Sequence, residues 1–152
     1  MSIIRYEDLD AWQRGFETAI AVYQWTQRFP VEERFGLTMQ IRRAAASIPA
    51  NIAEGFARRK PKDKARLYNI AEGSAEEVSV FVRLGTALGF GVRSENLEKL
   101  VKSAAMLARC LTDSTLARAA SPRVAPPAPS PREGREGGRS SRDSGSGMRA
   151  TD

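Results

Sequence analysis

Histidine is absent from this chain of 152 residues, and cysteine occurs once, as Cys110. Without histidine, the Glu-x-x-His pairs that hold di-iron centres in helical bundles cannot be built. Cys110 likewise lacks the partner that would activate it as a nucleophile. No Gly-rich phosphate loop follows a strand pattern. The sequence therefore offers no catalytic set, and neither a metal nor a cofactor is expected. A single cysteine cannot close an intrachain disulfide, which fits a reduced, cytoplasmic setting. Long hydrophobic runs are missing too. Nothing approaches the length of a transmembrane helix, and Met1–Trp12 has no apolar core of signal-peptide type. The chain reads as soluble and intracellular, with no membrane partner.

Acidic residues are the minority among the charges. Twenty-four Lys and Arg face 18 Asp and Glu, a formal charge of +6 with a pI near 10.0. That balance favours acidic partners, nucleic acid first among them, although solvated basic surfaces without such a partner are also common. From Ser121 on, Pro, Gly, Ser and Arg dominate and almost nothing can be buried. Residues 121–152 therefore read as a disordered tail. Its arginines either add non-specific phosphate contacts or belong to an inert, solubilising segment. Residues 1–120 remain as one domain, long enough for a single core.

What is present is helical periodicity, and the stretch from Gln40 to Gly55 organises it. At about 100° per residue, Leu37, Ile41, Ala44, Ala45, Ile48, Ile52 and Phe56 form a core face. Ala46, Ala50, Ala53 and Ala57 form a second line with no side chain beyond a methyl. Gln40, Arg43, Ser47, Asn51, Glu54 and Arg58 form a third. An ordinary surface helix needs no alanine line, so a second backbone is expected to approach it, from this chain or another. Pro49 removes a ladder hydrogen bond and should kink the helix between Ala45 and Pro49. Asn51 is expected to satisfy the backbone freed by Pro49. Glu54 is expected to accept a charge-assisted bond from Arg43, Arg58 or a neighbouring subunit.

Four helices fit residues 1–120, an all-α domain. The first is expected from a cap at Asp8 to Arg28, with Leu9, Trp12, Phe16, Ala19, Ile20 and Tyr23 as its core stripe. Trp25 falls off that stripe, as a rim residue covered by a neighbouring helix or as a subunit contact. Phe29-Pro30 ends the helix, and a tight connection leads to the second, Leu37 to Arg58. The third runs from Pro61 to Leu88, with Leu67, Ile70, Ala71, Ser74, Val78, Phe81 and Leu88 inward. Gly73 and Gly85 each cost about 1 kcal/mol relative to alanine there, and such glycines point to close helix approach. Gly89-Phe90-Gly91 closes the third helix. Ser94 caps the fourth, whose core face is Leu97, Leu100, Val101, Ala104, Leu107, Ala108, Leu111 and Leu116.

The run QIRRAAASIPANIAEG, residues 40–55, is followed after a basic gap by NIAEGSAEE, residues 69–77. Together they resemble the bacterial four-helix-bundle proteins related to 23S ribosomal RNA intervening-sequence proteins. That superfamily also holds the accessory variability determinant proteins of diversity-generating retroelements. The resemblance spans Tyr6 to Leu116, and its first motif is long and ungapped. It implies an antiparallel, up-down four-helix bundle with Gln40, Ser47, Pro49, Asn51, Glu54, Gly55, Gly73 and Ser74 as structural motif positions. It also implies assembly into a homopentameric ring with a basic surface. In the retroelement branch such a ring binds nucleic acid and a reverse transcriptase, whereas most other members have no established activity. Two positions depart from the pattern. Lys60 stands where a small polar cap is usual, and Lys64 where an aromatic is usual, which should weaken packing at the start of the third helix.

Between Arg42 and Arg66 stand Arg42, Arg43, Arg58, Arg59, Lys60, Lys62, Lys64 and Arg66, opposed only by Glu54 and Asp63. Side chains this dense repel one another unless counterions or a polyanion compensate. They are the candidate nucleic-acid-binding residues, and a ring would repeat the patch and multiply a weak contact. In a monomer the same run reads as a solvated charged loop. Aromatics are not interleaved with it, so contact is expected with phosphates rather than bases. One reading is a non-enzymatic homo-oligomer that holds RNA or DNA, as accessory to a reverse transcriptase or other RNA-handling system. The other is a scaffold ring that binds a protein partner without nucleic acid.

Overall fold

Helix signals in the sequence become helices at nearly the expected places. The computed structural model describes residues 4–121, with α1 at Asp10–Trp25, α2 at Leu37–Ala57, α3 at Pro61–Ala87 and α4 at Glu95–Ala120. Short 3-10 turns occupy Tyr6–Asp8, Thr26–Arg28 and Val31–Phe35. Each helix packs against two neighbours: α1 against α2 and α4, and α3 against α2 and α4. The chain is an all-α, antiparallel four-helix bundle. The expected tail lies, apart from Ser121, outside the described residues.

Local chemistry sets most of the ends. Ser94 caps α4, its hydroxyl accepting from the Leu97 amide at 3.3 Å. Pro61 opens α3, where its missing N–H would have had no partner. Gly89 closes α3 at φ 74, in the left-handed region that a glycine enters without strain. The Glu33 carboxylate accepts from the Leu37 amide at 2.8 Å and so holds the start of α2. The start of α1 differs from expectation. Asp8 closes the preceding 3-10 turn and accepts from the Arg5 amide at 3.3 Å, so the cap position falls to Leu9, which has no polar side chain.

Val22, Ile41, Ile48, Ile52 and Val78 are wholly buried and centre the core. All of the expected α2 face is buried except Phe56, which is half-buried. The α1 face is rotated from expectation. Ala11, Gly15, Thr18 and Val22 point inward, whereas Phe16, Ile20 and Tyr23 are 46, 45 and 46% exposed. The cause is a close crossing of α1 over α2. A methyl group added at Gly15 would lie 2.8 Å from Ile48 Cγ2, so no large residue fits on that side. Thr18 tolerates burial because its hydroxyl donates to the Arg14 carbonyl at 2.7 Å.

Smaller corrections follow the same logic. In α3 the inward positions include Tyr68, Ala75 and Val82, while Ile70 and Leu88 are exposed. In α4, Ala105 is buried and Leu116 is exposed. Gly85 does mark close approach, since an added methyl would lie 2.9 Å from the rings of both Phe29 and Trp25. Gly73 does not: it is exposed, and nothing lies within 4 Å of an added methyl. Trp25 is a rim residue covered by its own chain. Its indole N–H donates to the Val92 carbonyl at 2.7 Å, and its ring fills the space beside Gly91.

Candidate nucleic-acid interface

The basic residues gather where α2 hands over to α3. Helix α2 ends at Ala57, the Arg58 amide donating back to the Gly55 carbonyl at 3.2 Å. Pro61 starts α3 after three connecting residues, Arg58, Arg59 and Lys60, with Arg58 and Lys60 extended, so the three stand in a short, tight turn. Lys60 offers no side-chain cap.

Lys64 turns back onto this junction. Its ammonium donates to the Phe56 carbonyl at 2.6 Å and the Gly55 carbonyl at 3.3 Å, and lies 5.3 Å from the Phe56 ring centroid. It thereby caps the Phe56 carbonyl at the end of α2, shares the Gly55 carbonyl with the Arg58 amide, and places its charge at the negative end of the helix dipole. Burial pushes its pKa below the usual lysine value. Beside the expected change in packing, lysine here does something an aromatic could not: its ammonium caps the end of α2 next to the Phe56 ring.

The other candidates divide by engagement. Arg58 pairs with Glu54 one turn back on α2. Arg59, Lys60, Lys62 and Arg66 are exposed, with no acidic partner within 4 Å among the described residues. Arg42 lies about 24 Å away along α2 at 1.5 Å per residue. Its Nε donates to the Thr26 hydroxyl at 2.8 Å, and its guanidinium sits 4.8 Å from the Tyr23 ring centroid. Arg42 is thus an α1–α2 tie. Arg43 stands exposed at a notch of about 450 Å³ on the α2–α3 seam, with Gln40, Ser47, Ser74 and Glu77.

The sequence motif residues build that seam. The Ser47 and Ser74 hydroxyls lie 2.9 Å apart, and Ser74 also donates to the Ile70 carbonyl at 2.9 Å. Asn51 Nδ2 donates to both the Ser47 carbonyl and the Ser47 hydroxyl at 2.8 Å. This differs from the expected repair at Pro49, whose missing N–H would have met the Ala45 carbonyl. Helix α2 nevertheless continues through Pro49, which is buried. Gly55 is required by close approach, an added methyl falling 2.7 Å from the Tyr68 ring.

One cation was missed in the sequence. Helices α3 and α4 run antiparallel across the short connection from Leu88 to Ser94, with Arg109 Nε donating to Glu72 at 2.7 Å across them, and this register brings the last turn of α4, with exposed Arg118, toward the start of α3. Only this cross-helix register reveals it. Among the described residues no group of three His, Cys, Asp or Glu is placed to hold a metal ion. Among them, too, no helix is long and apolar enough to cross a membrane.

The family model for 23S rRNA-intervening sequence proteins matches residues 7–113. Among solved structures, this chain is similar to a protein of unknown function of the S23 ribosomal protein family from Bacteroides thetaiotaomicron. The two share 22% identity with a TM-score of 0.62, over 68% of this chain and 95% of that one. At that identity the likeness speaks for the fold. No curated protein matches.

Proposed function

The chain belongs to the 23S rRNA-intervening sequence protein family, and we propose that it is a non-enzymatic, cytoplasmic homo-oligomer that binds nucleic acid electrostatically. The observation that carries this reading is the set Arg59, Lys60, Lys62 and Arg66 at one end of the bundle, exposed and without an acidic partner within 4 Å among the described residues. Cations held close without carboxylate partners keep a counterion atmosphere, and a phosphate chain that replaces those counterions gains their release. No aromatic residue stands between Arg58 and Leu67, so the patch is suited to phosphates and not to base edges. Repetition around an oligomer multiplies a contact that is weak in one copy. RNA is the first ligand to test, given the family's description, and a reverse transcriptase or other RNA-handling enzyme is the class of machine such a protein would assist.

A second reading, a scaffold for a protein partner, draws on the opposite end. There the connections expose Val31, Phe35 and Val92 at 71, 72 and 78%. Photo-crosslinking with a 4-thiouridine RNA separates the two. Adducts in peptides spanning residues 58–66 are expected. Adducts confined to other segments, or none at low salt, would leave only the scaffold.

A further inference from the structure

Ser47 and Ser74 meet from different helices, and the hydrogen bonds around them fix where both hydroxyl protons go. Ser74 Oγ lies 2.9 Å from the Ile70 carbonyl, which can only accept, so the Ser74 proton is spent there. The 2.9 Å contact between the two hydroxyls is then donated by Ser47. Asn51 Nδ2 in turn donates to Ser47 Oγ at 2.8 Å. The chain runs one way, from Asn51 through Ser47 and Ser74 to Ile70, and uses both hydroxyl protons. A hydroxyl oxygen has two acceptor positions, and each serine fills only one of them within this chain. The pair therefore has acceptors left to offer and no donors. Ser74 is only 8% exposed, so this arrangement is fixed in the seam rather than free on the surface.

The same two serines set the register of α2 against α3. Because these helices run antiparallel, Arg43, four residues before Ser47, and Glu77, three residues after Ser74, fall on one turn at facing positions. Together with Gln40 and Ala44 these residues line the notch of about 450 Å³. Facing charges of opposite sign attract and ordinarily close into an ion pair. Here they stay apart. Neither Arg43 nor Glu77 has an oppositely charged side chain within 4 Å among the described residues. The notch thus has a cationic wall, an anionic wall and a floor that accepts hydrogen bonds. No aromatic and no large aliphatic side chain lines it, which makes it unsuited to a base or an acyl chain.

We propose that this notch binds a small zwitterion, an α-amino acid, with its carboxylate on Arg43 and its ammonium on Glu77 and the serine floor. An ammonium carries three donors and no acceptor, which matches one carboxylate and two hydroxyl oxygens. A guanidinium matches a carboxylate through two parallel hydrogen bonds. A plain anion would meet Glu77 and the acceptor floor, and a plain cation would meet Arg43. Only a ligand with both charges satisfies both walls. Ser47 lies about 16 Å from Arg58 along α2 at 1.5 Å per residue, so the notch is separate from the basic end and does not depend on nucleic-acid binding.

The test is an NMR titration of the isotope-labelled full chain with each standard L-amino acid, followed on the Asn51 side-chain amide and the Ser47 and Ser74 backbone amides. At least one acid is expected to shift these signals saturably at millimolar concentration. Its N-acetyl form lacks the ammonium and its amide form lacks the carboxylate, so each should bind about tenfold more weakly through one lost charge-assisted contact. Glu77→Gln and Arg43→Gln, both at exposed positions, should each weaken the acid by about the same factor with an unchanged helical signal. In Glu77→Gln the N-acetyl form should lose no further affinity relative to its parent, because the contact it lacks is already gone. Failure of every acid to give a saturable shift would overturn the site and make it a hydrated notch only. An N-acetyl form as tight as its parent in wild type, or variants of wild-type affinity, would overturn it equally. The assay contains no nucleic acid and leaves the end cations intact, so its failure and failure of RNA binding are read separately.

Discussion

The Lys64 ammonium donates to the Phe56 carbonyl at 2.6 Å, across the turn that joins α2 to α3. A cation in the midst of a candidate binding patch is thus committed to the fold. Lys64→Met should cost about 1 kcal/mol through the lost cap and dipole contact. Lys60→Met should stay within about 0.5 kcal/mol, as for an exposed residue without partners. Urea denaturation of the two variants checks this, and equal midpoints would contradict the capping role.

Gly15 and Gly73 should respond oppositely to a larger side chain. Gly15→Val would overpack the crossing with Ile48 and should destabilise by roughly 1–3 kcal/mol. Gly73→Ala, with open space around it, should stabilise an isolated bundle by about 0.5–1 kcal/mol through helix propensity. Thermal unfolding of both variants at a concentration where the protein is monomeric separates the two effects. If Gly73→Ala lowered stability there, the exposed placement of this glycine would be contradicted.

Alkaline stability should depend on Tyr68. Burial holds its phenol above the usual value of 10.0, so the unfolded chain ionises first as pH rises. The unfolded state then binds fewer protons than the native state, and stability falls as pH climbs past 10.0, with no contribution below it. Tyr68→Phe should flatten that alkaline decline in denaturation midpoints between pH 8 and pH 11. A decline of unchanged steepness in the variant would place its origin elsewhere.

Sequence periodicity located the helices because α2, α3 and α4 carry apolar residues at regular spacing, with Pro61 opening α3, Gly89 closing it and Ser94 capping the start of α4. It misplaced the buried face of α1 for a physical reason. Periodicity weighs large side chains, but the closest helix crossing selects the smallest, here Ala11, Gly15 and Thr18 with Val22. That set was itself regular at steps of three and four, a signal masked by Trp12, Phe16 and Tyr23 beside it. The basic patch was legible as a density of charge. Its division was not, since the partners of Arg42 and Lys64 lie on other elements, at Thr26 and Phe56. Arg118 joins the same end only through the antiparallel register of α4 on α3, which the contact of Arg109 with Glu72 marks.

The central claim is that the exposed end cations hold phosphates, and the salt dependence of RNA binding tests it most directly. Arg59, Lys60, Lys62 and Arg66 are exposed, so changing all four to Gln should leave the helical signal intact. Each lost phosphate contact flattens the log–log slope of affinity against salt by about 0.7–0.9 units, so the slope should fall by about 3. Arg42→Gln, at the far end and tied to Thr26, serves as the control and should leave the slope as in wild type. The account predicts weaker binding with a flattened slope for the fourfold variant alone. Binding of wild-type strength and slope in that variant would contradict it and make the patch a solvated run of charge.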